Sequence, residues 1–212
     1  MRDLFQQFSA EFVDIILSGG VLMVPLTFLA MGIFALALYQ LFFLHAHGFY
    51  RIKRQKLANY VFNPVLAHGE LRQILDYTQD AAISSTHEVR SRFAEIRNAY
   101  LAPVDSRNNV LLTLVSAAPL TGLLGTVMGM LTTFEGLALA VGGRTVDLIA
   151  GGISEALITT QTGLIIAIPG YVMVSMIRRR RNDLEGTLNT LETLTVQLVE
   201  GWQSEKATRE AS

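Results

Sequence analysis

The chain has 212 residues, of which 50% are hydrophobic and only 17% charged, whereas soluble domains usually carry about 25% charged residues. Its formal net charge of −1 argues against a nucleic-acid-binding protein, because that class gathers Lys and Arg on one face. The sequence contains no cysteine, which excludes disulfides, thiolate metal sites and cysteine nucleophiles.

Three long apolar segments predict three transmembrane helices. Residues 15–44 and 108–134 contain no charged side chain, and residues 148–177 contain one, Glu155. Each segment exceeds the roughly 20 residues that a helix needs to cross the hydrocarbon core. We therefore predict an all-α, polytopic membrane protein with spans at 15–44, 108–141 and 148–177, the second with a cytoplasmic extension. The first span is too long for a signal-peptide core, so we expect it to be retained.

The segment before the first span and the loop between the second and third spans are both short. Residues 1–14 place Leu4, Phe5, Phe8 and Phe12 at helical spacing, which predicts an amphipathic helix along the outer membrane boundary. Residues 142–147 are predicted to form a short periplasmic loop. The second and third spans would then form an antiparallel hairpin.

Basic residues are distributed unequally about the three spans. Of the 17 Lys and Arg, nine lie at positions 51–107 and six follow position 177, whereas only Arg2 and Arg144 lie elsewhere. Cytoplasmic flanks of membrane spans are enriched in Lys and Arg. The pattern predicts a periplasmic N-terminus and a cytoplasmic C-terminus.

The two segments assigned to the cytoplasm carry helical patterns. In residues 45–107 we expect one or two amphipathic helices, with Ser85 and Glu88 in capping-box register at the start of one of them. That helix would bury apolar residues at spacings of four, three and four: Val89, Phe93, Ile96 and Tyr100. In residues 178–212 a helix that packs on a partner is predicted by the series Leu184, Leu188, Leu191, Leu194, Leu198 and Trp202. Together these segments predict a cytoplasmic helical domain.

The second span has one face of small residues. Gly122, Gly125 and Gly129 recur at spacings of three and four, which allows two membrane helices to approach closely. We assign these glycines, with Pro119 and Pro169, to helix packing. Thr126 lies on the same span, and its hydroxyl is a candidate for an ion pathway only if it faces a cavity, since such hydroxyls usually bond their own helix.

The third span contains a polar belt within an otherwise aliphatic helix. An acidic residue at a helix centre costs about 2.5 to 3.5 kcal/mol to insert, so such residues usually face a bundle interior and mark ion paths. Glu155 is therefore a candidate ion-pathway residue, with a carboxylate that reaches the outer interface as the alternative. The rest of the belt comprises Ser154, Thr159, Thr160, Gln161 and Thr162. An oligomer would satisfy these groups best.

The sequence favours no enzyme. It contains no Gly-Lys-Ser or Gly-Lys-Thr of a phosphate-binding loop and no arguable pair of nucleophile and base. Its four histidines are not clustered with other ligands, so we expect no metal site and no cofactor.

Motifs in all three spans resemble the MotA/TolQ/ExbB proton-channel family, and most closely its ExbB-type members. In the second span the resemblance rests on the nine residues from Gly122 to Met130. In the third it rests on Ser154-Glu155-Ala156-Leu157, Thr159-Thr160, Gly163-Leu164 and Ala167-Ile168-Pro169, and in the first on residues 19–26. The resemblance covers most membrane residues but little of the cytoplasmic part.

The resemblance implies a ring of five copies around the transmembrane helices of two ExbD- or TolR-like single-span subunits, whose aspartate binds the translocated proton. Thr126 and Thr160 would line the route beside that aspartate, and Glu155 would be the family's intramembrane glutamate. Thr159, Gln161 and Thr162 are possible pore-lining residues. The assembly would energise a TonB- or TolA-like protein from the bacterial inner membrane.

Three alternatives stay open at the level of the sequence. The chain could act as an ExbB-like energiser of outer-membrane transport, as a TolQ-like energiser for envelope integrity and division, or as a membrane scaffold without ion flux. Gln161 stands where many relatives have alanine, which leaves the coupling ion open between proton and sodium.

Overall fold

The computed structural model describes residues 19–46, 54–79, 85–139 and 145–210. The predicted amphipathic helix at residues 1–14 lies outside these residues, as do positions 142–144 of the predicted loop. The helices are α1 (Met23–Ala46), α2 (Arg54–Phe62), α3 (Glu70–Thr78), α4 (Thr86–Leu139) and α5 (Thr145–Glu210), with a 3₁₀ turn at Pro64–Leu66. The predicted all-α class is thus confirmed for the described part of the chain.

Three of these helices, α1, α4 and α5, are long and apolar enough to cross a membrane. The mean hydropathy of their most apolar stretches is 2.0, 1.9 and 1.6. Large apolar side chains stay exposed along them, for example Phe28 (67%), Leu131 (57%) and Ile168 (66%). Lipid or further helices must cover such surfaces, since soluble monomers rarely expose them contiguously.

The chain divides into two compact units. The membrane unit comprises Met1–Leu38 and Asn109–Ser175, and the head unit comprises Tyr39–Asn108 and Met176–Ser212. Both α4 and α5 contribute residues to each unit, because neither helix ends where its apolar stretch ends.

The head unit has its own apolar core. Val89 and Phe93 of α4 and Leu188 and Leu191 of α5 are all fully buried, as their helical spacing predicted. Trp202 continues the same spacing, but 55% of its surface is exposed in the single chain.

The start of α4 lies at the predicted capping serine, but the capping contacts differ from a capping box. The Ser85 hydroxyl accepts a hydrogen bond from the backbone N–H of His87 (3.1 Å) and not from that of Glu88. The Glu88 carboxylate instead pairs with Arg92, one turn further along the helix (3.0 Å). A nearby guanidinium thus competes successfully for the carboxylate that a capping box would use.

Two ion pairs join α4 to α5 within the head unit. Arg97 donates to Glu192 (2.5 Å), and Arg181 donates to both oxygens of the Asp105 carboxylate (2.8 Å each). The hydrogen bond to Asp105 is the largest cause of a raised pKa at Arg181, so this guanidinium stays fully charged. Bidentate geometry makes such a pair more specific than an ordinary surface ion pair.

Candidate functional site

The glycines of α4 lie directly against α5 in the membrane unit. A Cβ atom added to Gly122 would stand 3.0 Å from the carbonyl oxygen of Thr159, and one added to Gly129 would stand 2.8 Å from that of Gly152. At Gly125 an added Cβ would overlap the side chain of Thr159. The two backbones therefore approach more closely than any residue with a side chain would allow.

Small residues of α5 complete this contact from the other side. An added Cβ at Gly163 would stand 2.7 Å from the carbonyl oxygen of Ala118, and one at Gly170 would stand 2.8 Å from the Val115 side chain. Between Gly152 and Gly170 the helix rises about 27 Å. The close contact thus extends over nearly the whole hydrocarbon core of roughly 30 Å.

Thr160 makes a hydrogen bond across the helix pair. Its hydroxyl donates to the carbonyl oxygen of Gly122 at 3.0 Å, where a Cβ atom on Gly122 would stand 3.1 Å from the Thr160 Cα. The Thr126 hydroxyl donates within α4 instead, to the carbonyl oxygen of Leu123 (2.7 Å). Both threonines are half-buried in the single subunit.

The two other threonines of the belt bond their own helix. Thr159 donates to the carbonyl oxygens of Ala156 (3.0 Å) and Glu155 (3.1 Å), and Thr162 donates to that of Ile158 (2.8 Å). Thr159 is 1% exposed. Within this subunit it therefore packs the helix pair and presents no surface to a pathway.

Gln161 lies on the face of α5 that is turned away from the other helices of the subunit. It is exposed, as are Leu157 and Leu164 on the same face. Among the described residues its carboxamide has no hydrogen-bond partner. A carboxamide in this part of a membrane helix needs polar groups from outside the subunit, or water, to satisfy it.

Glu155 lies beside the start of α1. Its half-buried carboxylate occupies the space that a Cβ on Gly20 would need. Gly20 has φ +68°, a backbone conformation that residues with a side chain rarely adopt. Two properties of glycine, its conformational freedom and its lack of a side chain, are thus both required to bring α1 to Glu155.

Both prolines assigned to helix packing lie inside continuous helices. Pro119 lies within α4 and Pro169 within α5, and each is half-buried. Each lacks the N–H that would bond the carbonyl four residues earlier, so the carbonyl groups of Val115 and Ile165 lose their usual helical partner.

Comparison with known proteins places this helix pair in a family. The model described as the MotA/TolQ/ExbB proton channel family matches residues 63–190, which is more than half of the chain. The chain belongs to the MotA/TolQ/ExbB family. The matched region includes all of α4 and the part of α5 that carries the polar belt.

Individual relatives of the MotA/TolQ/ExbB family match over different lengths. Biopolymer transport protein exbB1 of Vibrio cholerae is 40% identical over 84 residues, 37% of each chain. Putative biopolymer transport protein ExbB-like 3 of Synechocystis is 26% identical over 176 residues, covering 76% of this chain and 82% of that protein. Tol-Pal system protein TolQ of Haemophilus influenzae is 36% identical over 117 residues, covering 55% and 50%. The chain thus spans little more than a third of the Vibrio protein's length.

Sequence reasoning missed the half of the interface that α5 contributes. Gly152, Ala156, Thr159, Gly163 and Gly170 are small or hydroxyl-bearing residues at helical spacing, and all five are buried. The same spacing rule that identified the α4 glycines would have found them. It would not have found Gly20, whose contact with Glu155 depends on residues far apart in the sequence.

The site offers several hydrogen-bonding groups. No group of three or more His, Cys, Asp or Glu side chains within the described ranges could hold a metal ion. The site consists of two closely packed helices, which carry hydroxyl, carboxamide and carboxylate groups at fixed positions along their length. Such groups can bind and pass a proton or a small cation in a membrane interior.

Proposed function

We propose that this chain is the channel-forming subunit of a proton-driven motor of the inner membrane. Five copies would surround two ExbD-like single-span subunits and energise a TonB-like protein for outer-membrane transport. The observation that carries the proposal is the belt of polar groups on α5, centred on the Thr160 hydroxyl, which donates to Gly122 of α4. Membership of the MotA/TolQ/ExbB family also supports it.

Proton movement provides enough energy for such a motor. One elementary charge that crosses the membrane yields about 2.3 kcal/mol per 100 mV. A packed interface with two arrangements can be biased by one or two such steps. Because α4 and α5 pack closely, each subunit presents a rigid surface. An acidic side chain of the partner could change its hydrogen bonds along this surface.

The orientation that we propose places the N-terminus in the periplasm and the C-terminus in the cytoplasm. It is supported by the nine basic residues at positions 51–107 and the four consecutive arginines at positions 178–181. The head unit would then lie in the cytoplasm.

Ion flux in vesicles separates the motor from a structural scaffold. The chain and an ExbD-like single-span subunit are reconstituted together, and proton uptake is measured under an imposed membrane potential. We expect uptake that requires both proteins, and we expect sodium to replace protons poorly. An assembled complex without flux of either ion would leave the scaffold as the correct function.

Glu155→Gln tests the role of the carboxylate within this proposal. If Glu155 lies on the pathway, the variant should assemble and conduct less. Unchanged flux would assign Glu155 to anchoring the start of α1 at Gly20.

A TolQ-like role in envelope integrity and division is the second candidate function. It is favoured by the similarity to Tol-Pal system protein TolQ of Haemophilus influenzae, which extends over 55% of this chain. Deletion of the gene distinguishes the ExbB-like role from the TolQ-like role. Loss of nutrient import supports the ExbB-like role, whereas a defect in envelope constriction supports the TolQ-like role.

A further inference from the structure

The hydroxyl hydrogens of Thr126 and Thr160 are both used inside the subunit. Thr160 donates to the carbonyl oxygen of Gly122 (3.0 Å), and Thr126 donates to that of Leu123 (2.7 Å). A hydroxyl has one hydrogen and two lone pairs. Toward a neighbouring helix these two threonines can therefore only accept hydrogen bonds.

Gln161 differs from these threonines because it can donate as well as accept. Its exposed carboxamide keeps both N–H donors available, since within the described residues it bonds nothing. The flanking threonines, Thr159 and Thr162, also donate to their own helix. Gln161 thus supplies the available N–H donors of positions 159–162, about 100° around the helix from Thr160.

We propose that Gln161 favours the ionised form of the partner's carboxyl group, whereas Thr126 and Thr160 favour its protonated form. The inference rests on the proposed function, which supplies an acidic side chain on a neighbouring helix. A protonated carboxyl donates its O–H to a threonine oxygen. After the proton leaves to water, the carboxylate can no longer donate, and it accepts from the Gln161 N–H instead. When the partner's carboxyl group loses its proton, its hydrogen bond on α5 therefore moves from Thr160 to Gln161. When it regains the proton, the hydrogen bond moves back.

Few titratable groups of the membrane unit could produce the same effect. Glu155 contacts Gly20, and the Tyr171 hydroxyl lies 3.1 Å from that of Ser116. Glu135 and Asp147 lie toward the far ends of α4 and α5. The described part of α1 within this unit contributes none. A shift in the flux profile of a Gln161 variant should therefore report on the partner's carboxylate.

The experiment measures proton flux against pH in vesicles that contain the complete complex. In Gln161→Leu the carboxylate loses a donor and holds its proton more tightly. The pH of half-maximal flux, on the part of the profile set by release of the partner's proton, should then rise by about one unit. A shift of this size is expected for the loss of a hydrogen bond to a charged group. Gln197→Leu is the matched control, because Gln197 is an exposed glutamine of the head unit, and its profile should not move.

The outcomes separate this inference from the function on which it rests. Flux with an unmoved or downward-shifted profile in Gln161→Leu would overturn the role of Gln161 and leave the motor intact. No flux in the unmodified complex would overturn both. If Gln161→Leu does not assemble, Gln161→Ala and Gln161→Asn replace it. Alanine should then reproduce the upward shift, and asparagine, which keeps the donor, should show a smaller one.

Discussion

Replacement of Thr160 by valine removes one defined interaction and leaves the shape of the side chain nearly unchanged. The hydroxyl that is lost donates to the carbonyl oxygen of Gly122 at 3.0 Å. That carbonyl lies in the middle of α4 and keeps its helical N–H partner, so the substitution leaves no backbone group unsatisfied. Valine and threonine are both β-branched, so the helix itself is little affected.

The expected loss of stability is small. Hydrogen bonds between membrane helices contribute about 0.6 kcal/mol on average and at most about 1.7 kcal/mol. The glycine contacts on either side of position 160 stay in place. We therefore expect Thr160→Val to fold and assemble, with a loss of about 0.6 kcal/mol in the free energy of unfolding.

The effect on ion flux should be much larger than the effect on stability. Valine has no lone pair to accept a hydrogen bond from a protonated carboxyl, so proton-coupled flux should fall at least several-fold. Thr160→Ser keeps the hydroxyl and is the matched control.

The assay combines unfolding in mixed micelles with proton flux in vesicles, at equal amounts of assembled complex. Undiminished flux in the valine variant would refute the pathway role of Thr160. A stability loss well beyond 2 kcal/mol would refute the assignment of Thr160 to a single marginal hydrogen bond.

Two further predictions concern glycines. Gly125→Ala should destabilise the helix pair by about 1 to 3 kcal/mol, because the new methyl group would overlap Thr159. Gly32→Ala, where nothing lies within 4 Å, should be neutral or slightly stabilising in the same unfolding assay, and equal losses in both would contradict the packing argument. Gly20→Ala should displace Glu155 and reduce both stability and flux, because it combines an overlap with an unfavourable positive φ. A Gly20→Ala variant that behaves like the unmodified protein would show that this contact has no role.

Much of the fold could be predicted because the strongest signal in the sequence is the lack of charge. Lipid imposes that signal directly, so each of the three apolar segments overlaps one of the long helices α1, α4 and α5. Helical spacing likewise predicted the burial of Phe93 and Leu188. The unbroken course of α4 from Thr86 to Leu139 was harder to predict, since Pro103 and the polar run at 105–109 interrupt the apolar pattern between its two parts.

The hydrogen-bond partners within the site depend on tertiary packing and could not be predicted from the sequence. The threonines at positions 126, 159, 160 and 162 look alike in sequence, but only Thr160 donates to the other helix. The direction of a hydroxyl depends on which carbonyl lies within 3 Å, and this is set by the packing of two distant segments. Position 155 is a similar case, because its neighbour Gly20 is determined by tertiary structure alone.

The glycine contact between α4 and α5 also limits where the sequence can tolerate insertions and deletions. One residue inserted between Gly152 and Gly163 would turn everything beyond it by about 100°. A bulky side chain would then face Ala118, and the polar belt would lose its alignment with Gly122. Homologues that keep this helix pair should therefore carry their insertions and deletions outside this stretch of α5.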